Sequence, residues 1–479
     1  MMSEVLRKIL SEGKDIAINS KEVKEGTIFI AMQGLEFDGR DYINEAIKKG
    51  ASVIIYEATN FKEKKVWDIP SFAIHNLKQE LPEIAGLFYQ NPTKSLKVIG
   101  VTGTNGKTSV VGWLQQCLSN LHQNAGLIGT LGSGKGHLEK TSNTTPDIIS
   151  LNKIFYEFKK KGIQYAAMEV SSHAIKQNRI ANIVFDIKVL TNVTRDHLDY
   201  HKTLSNYQKT KKQFFSDGGC KNFVLNVDDH VGQQLVSEID WHEKNLLTYA
   251  IDNQADLCAT NIVYKDGMMI FDLLHKDKIY NLRANVFGKH NAYNLLSVIA
   301  CLVMYKFSIN SIIEAVQLLQ SIQGRNEVIQ FNSDGSPQVV IDYAHTPDAL
   351  ENILVSLKKI AAKNVILLFG CGGNRDKGKR KKMALVANKY ADKIIVTTDN
   401  PRHEDPSEII NDILKHITTR HIVIESREQA IKAGVEMLSD DSLLLIAGKG
   451  HEEYQEVKGI RYPFSDKEIA LLELGNIKN

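Results

Sequence analysis

No two cysteines of this sequence stand in CxxC spacing, and nowhere do about 18 uncharged apolar residues run together. The five cysteines, Cys117, Cys220, Cys258, Cys301 and Cys371, are scattered through 479 residues. That scatter excludes a structural zinc ribbon and a disulfide framework and fits a reducing compartment. The opening residues, MMSEVLRKILSEGKD, lack the sustained apolar stretch of a signal peptide, so a cytoplasmic protein with no membrane insertion is expected. A surplus of one charge is also missing. The net charge is only +3, which argues against a general nucleic-acid binder even though RDKGKRKK at 375–382 is locally basic. On charge alone that run reads equally well as a solvated helix start.

What the sequence does contain is the balance of a globular protein, 43% hydrophobic and 24% charged residues. Its length, at about 150 residues per domain, suggests roughly three domains. The strand patterns GTIFIAM and ASVIIYE, with the helical pattern YINEAIKKG between them, predict a small α/β unit over residues 1–90. After the turn-rich joint YQNPTKS, LKVIGVTGTNGKTSVVGWLQQCL reads as a buried strand, a glycine turn and an apolar-striped helix. It opens a second unit, 91–323, in which the strands YAAMEV, IKVLTNV and NFVLNV alternate with helices as a parallel sheet requires. From the turn QGR onward, PQVVIDYA, NVILLFG, DKIIVTT, HIVIES and SLLLIAG predict a third, doubly wound unit over 324–479. The expected class is therefore α/β throughout.

Three stretches carry chemistry. In VIGVTGTNGKTSV a strand enters a turn at Gly103, Thr104, Asn105, Gly106, Lys107 and Thr108 and leaves as a helix. Backbone N–H groups there can cradle phosphate oxygens, with Lys107 on the terminal phosphates and the Thr108 hydroxyl on Mg2+. The strict phosphate-loop spacing fails at Val101, so an ordinary glycine turn competes. In AAMEVSSHAIKQNRI, Glu169 ends an apolar strand where a carboxylate on the same sheet could hold Mg2+, or simply face solvent. In LTNVTRDHLDYH, His197 and His201 are four residues apart, but no HExxH pattern or cysteine accompanies them. Zinc is therefore the weaker reading and a loop histidine serving Mg2+ the better one. The downstream lysines 209, 211 and 212 read most simply as a solvated basic helix face. TTDNPRHEDP, at 397–406, leaves a strand with an arginine set among ionisable residues, which suggests an anion for Arg402.

Taken in order, NSKEVKEGTIFIAMQGLEFDG, GTNGKT, SNTTPD, MEVSSHA, NVTRDHLDYH, GKHNAYN, GRNE, DYAHTPD, CGGNRDKGKR, DNPR and GKGHEEYQ resemble the Mur ligases, ATP-dependent amide-forming enzymes of peptidoglycan precursor synthesis. The resemblance spans nearly the whole chain and is closest to the members that add the third peptide residue. It implies a small N-terminal domain, a central ATPase domain with a parallel sheet and a Rossmann-like C-terminal domain. It also makes GTNGKT the family's own form of phosphate loop.

By that resemblance Ile18, Ser20, Leu35, Glu36 and Phe37 hold the uridine nucleotide, although Asn19, Ser20 and Lys21 replace the family's usual Asp-Ser-Arg. Asn143, Thr144, Thr145, Ser171, Gln177 and Arg179 grip the muramoyl-dipeptide. Gly103 to Ser109 (Gly103, Thr104, Asn105, Gly106, Lys107, Thr108 and Ser109) form the ATP loop, and Asn291, Asn294, Arg325 and Asp342 surround adenine and ribose. Lys211 is implied to be carbamylated, joining Thr108, Glu169 and His197 around Mg2+. Arg375, Asp399, Asn400, Pro401, Arg402, Gly448 and Glu452 are implied to hold the acceptor amino acid. A guanidinium matched to a distal carboxylate favours meso-diaminopimelate over lysine, with meso-lanthionine as a mimic. The implied substrates are ATP, UDP-MurNAc-L-Ala-D-Glu and meso-diaminopimelate, joined through an acyl phosphate by a monomer. Folylpolyglutamate synthesis, other Mur steps, a plain nucleotide hydrolase or kinase, and an inactive binding module are the competing readings.

Overall fold

In a computed structural model the described residues are 8–10, 13–34, 37–61, 67–216, 219–265, 268–331, 337–360 and 364–477. The chain divides into two compact units. The smaller comprises 1–98, 124–166 and 173–186, and the larger 99–123, 167–172 and 187–479.

The smaller unit contains a four-stranded sheet in which Asp15–Ala17, Thr27–Ala31, Ala51–Glu57 and Ser71–Ile74 pair in chain order, all parallel. Strand Thr27–Ala31 is buried along its whole length, as the apolar run TIFIA predicts. Phe29, Ala31 and Ile54 pack there against Ile43 and Ala46 of helix Ile43–Lys48. Helix Ile148–Lys160 also belongs to this unit, and Asp147 caps it by accepting from the N–H groups of Ile149 and Ser150, both at 3.0 Å. The short strands Ala125–Gly129, Gly132–Lys135 and His137–Glu139 form antiparallel hairpins.

Strands Lys97–Thr102, Ile187–Leu190, Asn222–Asn226, Asn245–Ala250 and Leu257–Lys265 pair in that order, all parallel, the first of them belonging to the larger unit from Ile99 onward. Two antiparallel strands, Met268–His275 and Lys278–Ala284, extend the sheet beyond them. Their direction follows from the connection. Lys276 and Asp277 both take positive φ, 49° and 60°, the two-residue turn whose twist suits adjacent antiparallel strands.

A second sheet of this unit has Glu327–Phe331 antiparallel to Pro337–Asp342, then Ser442–Ala447, Asn364–Phe369, Lys393–Val396 and His421–Val423, all parallel. Helices Pro347–Ile360, Gly378–Tyr390 and Pro406–Leu414 bury Leu350, Ile353, Met383 and Ile410 in one core with Leu367 and Val396. Helices Arg427–Glu436 and Asp466–Ile477 bury Ile431, Val435 and Ala470 in another core with Ile366 and Ile395. Successive residues of one strand thus serve opposite cores, the alternation that a doubly wound sheet demands.

Candidate active site

Strand Lys97–Thr102 delivers the chain into the loop at 103–106, and helix Lys107–Asn120 leaves it. Gly103 and Gly106 have φ of +154° and +88°. A Cβ at Gly103 would overlap Thr191 Oγ1, and one at Gly106 would overlap Asn294 Oδ1. Glycine is required at both positions. The loop is pinned from the end of the neighbouring strand: Thr104 N–H donates to Asn192 O at 2.7 Å, Asn105 N–H to Asn192 Oδ1 at 3.0 Å, and Thr191 Oγ1 to Asn105 O at 2.7 Å. No side chain caps the helix at Gly106. Its first-turn N–H groups are therefore available to an anion.

Lys107 Nζ folds back onto the carbonyls of Gly103 and Thr104, 2.9 Å from each. Burial lowers its pKa, and Arg325 lowers it further, against the opposing pull of Glu169 and Asp196. Arg325 donates to Thr108 Oγ1 at 3.1 Å while its guanidinium lies 4.1 Å from the centre of the Tyr343 ring. Its Nε is buried without a partner. Asp342 accepts from the N–H groups of Asn326 and Ala344, both at 2.7 Å, and burial raises its pKa. Asn291 and Asn294, both buried, share a hydrogen bond of 3.0 Å next to the Gly106 turn. The loop, Arg325, Asp342 and the two asparagines are thus gathered in one unit, as expected of a nucleotide site.

Helix Leu204–Ser216 corrects one residue-level expectation. Lys211 does not lie on a solvated face; it is 1% exposed. Its Nζ donates to Gly103 O at 2.8 Å and approaches Thr102 Oγ1 at 3.4 Å, beneath the phosphate loop. Charge reading missed this because the apolar residues Tyr207, Phe214 and Phe215 turn that helix face inward. Burial first, and then the Lys107 ammonium, hold the Lys211 pKa well below the usual lysine range. Lys212 does lie outside, paired with Glu238 at 2.6 Å. His201 is buried, with Nε2 3.0 Å from Ser172 Oγ, and serves the core. His197, at φ 53°, places Nε2 3.4 Å from Asp196 Oδ2, which also lies 3.7 Å from His345 Nε2. Glu169 is 1% exposed at the end of its strand. Among the described residues no three His, Cys, Asp or Glu side chains are arranged to hold a metal ion.

The loop leaving strand Lys393–Val396 is buried at Asp399 and Asn400. Arg402, at φ 52°, donates from Nη1 to Gly373 O at 2.9 Å and lies 3.5 Å from Glu456. Hairpin Tyr454–Pro463 holds the arginine's backbone: Arg402 N–H donates to Glu456 O at 3.0 Å, and Lys458 N–H to Arg402 O at 2.6 Å. Asn400 donates to Glu452 at 2.8 Å. Lys449, fully buried beside Gly448, donates to both Asn400 and Glu452. Arg375 is exposed, whereas Lys379 and Arg380 of the same basic run are buried. Arg380 pairs with Glu404 at 2.8 Å and Asp412 at 3.0 Å. Part of that run is therefore neither a solvated helix start nor a free anion site.

In the smaller unit Arg179 ties three expected residues together, donating to Gln177 Oε1 from Nε at 2.9 Å and to Thr145 O from Nη1 at 2.9 Å. Thr144 Oγ1 accepts from Thr130, and Asn143 is exposed. Ser171 belongs to the larger unit and is half-buried. Ser20 is buried, Ile18 half-buried and Phe37 69% exposed, which suits a ligand-facing role for Phe37. Leu35 and Glu36 lie outside the described residues. Asn19 accepts from Lys21 N–H at 3.0 Å and caps the short helix Ser20–Glu22, a task asparagine and aspartate share.

Sequence reasoning singled out neither Lys449, nor the Asp196–His345 contact, nor the Arg195–Asp376 ion pair at 3.0 Å. Each sits inside a quoted motif, but only the folded chain pairs them.

Comparison with known proteins bears on all of this. Residues 14–91 match the Mur ligase family catalytic domain, 101–302 the Mur ligase middle domain, and 324–450 the Mur ligase glutamate ligase domain. A UDP-N-acetylmuramoyl-L-alanyl-D-glutamate–2,6-diaminopimelate ligase of Pseudomonas putida is 39% identical over 95% of this chain and 93% of its own. Its namesake from Pseudomonas aeruginosa is 40% identical over 95% of this chain and 94% of its own. Among solved structures, one of a ligase of the same name is 30% identical, with a TM-score of 0.68 over 98% of this chain and 96% of its own. The MurF ligase of Thermotoga maritima, solved in complex with ADP, shares the fold at 19% identity, with a TM-score of 0.70 over 99% of each chain. The chain belongs to the Mur ligase family, whose three domains it carries in order.

Proposed function

We propose that this ATP-dependent ligase joins meso-diaminopimelate to the D-glutamate γ-carboxylate of UDP-MurNAc-L-Ala-D-Glu, releasing ADP and phosphate in the cytoplasm. One observation carries the reading. A glycine turn leading into a half-buried lysine and a polar cluster built on Asp399, Asn400, Arg402 and Glu452 occur in the same compact unit. A plain hydrolase or kinase has no use for the second.

A carboxylate and an amine do not condense in water unless the acid first gains a leaving group. A γ-carboxylate oxygen attacks the γ-phosphorus of ATP; the bond to the β-phosphate oxygen breaks and ADP departs. The acceptor's amine then attacks the acyl carbon, phosphate leaves with that carboxylate oxygen, and the ammonium formed gives up a proton. On this reading Lys107 exchanges its carbonyl partners for phosphate oxygens, and Arg325 leaves Thr108 as nucleotide enters. Residues 91–323 act on ATP, 324–479 hold the acceptor, and Ile18, Ser20, Leu35, Glu36, Phe37, Asn143, Thr144, Thr145, Ser171, Gln177 and Arg179 hold the nucleotide-linked dipeptide.

Mg2+, when bound, neutralises charge on the triphosphate. Thr108, Glu169, His197 and Lys211 would hold it. The fit turns on Lys211, since its depressed pKa favours the neutral amine that CO2 requires. Carbamylation of the neutral amine, which releases one proton, would place an anion with two oxygens there. It would thereby supply a ligand that the unmodified His, Asp and Glu side chains leave wanting.

Arg402 would take the acceptor's distal carboxylate through two parallel hydrogen bonds, with Arg375 on its other carboxylate. A coupled assay comparing meso-diaminopimelate, lysine and meso-lanthionine tests the reading. Diaminopimelate is expected to be used best and lysine barely. Arg402→Ala should raise the diaminopimelate KM by about 30-fold or more, the loss of a charge-assisted bidentate contact. Equal use of lysine, or unchanged R402A kinetics, removes the assignment.

A further inference from the structure

We infer that Lys449 is the positioning residue of the acceptor site: its ammonium fixes Glu452 and Asn400, while Asp399 beside it keeps one carboxylate oxygen for an incoming ammonium. The inference rests on the acceptor reading above and goes further, because nothing there gave Lys449 a role. The loop that carries it is unusual. Gly448 and Gly450 flank it at φ +117° and +55°, conformations that aim one long side chain inward between two residues no other type would readily replace. Nζ donates to Asn400 Oδ1 at 2.9 Å and to Glu452 Oε2 at 3.0 Å, and lies 3.7 Å from Asp399 Oδ1. The rings of Tyr454 and Phe464 face it with centroids at 5.6 and 5.9 Å.

Arg402 lies against Glu456 at 3.5 Å, and Arg427 is paired with Asp466 at 2.7 Å. Lys449 is the ammonium that stands within ion-pair distance of both Asp399 and Glu452, while Arg427, Lys379 and Arg402 add to the positive field at Asp399. Asp399 Oδ1 is buried with no hydrogen-bond partner, whereas Glu452 Oε2 already accepts from both Lys449 and Asn400. The same lysine explains the shape of the Asn400 amide: its oxygen takes Lys449 Nζ and Glu456 N–H, both at 2.9 Å, which turns its NH2 toward Glu452. Two carboxylates this close together would be costly to hold without a cation between them; Lys449 supplies it and keeps the site pre-shaped.

The test is a double-mutant cycle of Lys449→Met and Glu452→Gln, with KM measured for diaminopimelate, ATP and the UDP-dipeptide, and with thermal melts. K449M alone, by stranding Glu452, should raise the diaminopimelate KM about 30-fold or more. The other two KM values should move less than about threefold, as expected for distant, independent sites. E452Q alone should also weaken the acceptor. In the E452Q background Lys449 has lost the carboxylate it positions, so its removal should raise the diaminopimelate KM by less than about threefold more, the coupling expected of groups in direct contact. A merely structural lysine would add its full cost in both backgrounds and would not select one substrate. The E452Q and double variants decide the matter even if K449M does not fold. An unchanged acceptor KM in K449M, a parallel rise for all three substrates, or a K449M effect of about 30-fold that persists undiminished in the E452Q background overturns the inference. A wild type that forms no tripeptide overturns the functional reading and this one with it; an active wild type indifferent to these changes overturns this one alone.

Discussion

At the residue scale two lysines, one directly after a glycine turn and one buried beneath it, meet the same carbonyl. Lys107 and Lys211 both contact the Gly103 carbonyl, at 2.9 and 2.8 Å. Burial lowers the proton affinity of both, the Lys107 ammonium lowers that of Lys211 as well, and Lys211 is shifted further. The sign matters. A lysine whose folded pKa is depressed is neutral at pH values where the unfolded chain would still be charged, so the cost of burying it is relieved as pH rises from the folded pKa toward the unfolded one. The same neutrality is what a carbamate requires. Lys211→Arg keeps a cation and cannot be carbamylated. Turnover should fall by about 100-fold or more, the scale of losing one electrostatic stabiliser at a transferring group, while the KM for diaminopimelate stays near the wild-type value. Turnover within a few-fold of wild type would show that no carbamate acts there.

At the scale of elements, the strand-turn-helix from Lys97 to Asn120 was legible because each part has its own signal: an apolar run, positive-φ glycines and an apolar stripe. The doubly wound sheet was legible for the same reason. What stayed hidden depends on partners far away in sequence. The basic run at 375–382 gives no hint that Arg380 meets Glu404 and Asp412. The amphipathic face of Leu204–Ser216 conceals which of its lysines turns inward. Hairpin Tyr454–Pro463, which pins Arg402, is half-exposed and polar and so offers no buried-strand signature. A prediction belongs here. Gly103→Ala would force a Cβ onto Thr191 Oγ1 and the Asn192 backbone. ATP binding measured by calorimetry should weaken by about tenfold or more, with the loop displaced and the rest of the sheet intact, since strained positive-φ positions cost on the order of 1–3 kcal/mol. Wild-type affinity would mean the loop does not bind phosphate in this form.

For the whole molecule, the larger unit joins the glycine turn at 103–106 and the loop after Leu190 to the segment from Arg325 onward through a few polar contacts. Arg195 meets Asp376 at 3.0 Å, Asn105 Nδ2 donates to Asp348 at 3.0 Å, and Arg325 donates to Thr108 at 3.1 Å. Small polar contacts of this sort can re-form as domains move, and an acyl phosphate must be shielded from water before the amine arrives. Charge reversal at one end, Arg195→Asp, should raise ATP hydrolysis relative to amide formation. The double variant R195D/D376R should recover coupling, a cycle that isolates the pair from its surroundings. No recovery would show that the ion pair has no part in holding the two sheets together during turnover.

The central claim is that a carboxylate of the dipeptide is activated as an acyl phosphate and captured by the acceptor's amine. Oxygen-18 placed in the γ-carboxylate of UDP-MurNAc-L-Ala-D-Glu follows that event directly. With ATP, Mg2+ and meso-diaminopimelate present, each tripeptide formed should release one phosphate carrying a single labelled oxygen, and Lys107→Ala should abolish both. Phosphate without label, or phosphate released at the same rate with no acceptor present and no tripeptide formed, would contradict the account.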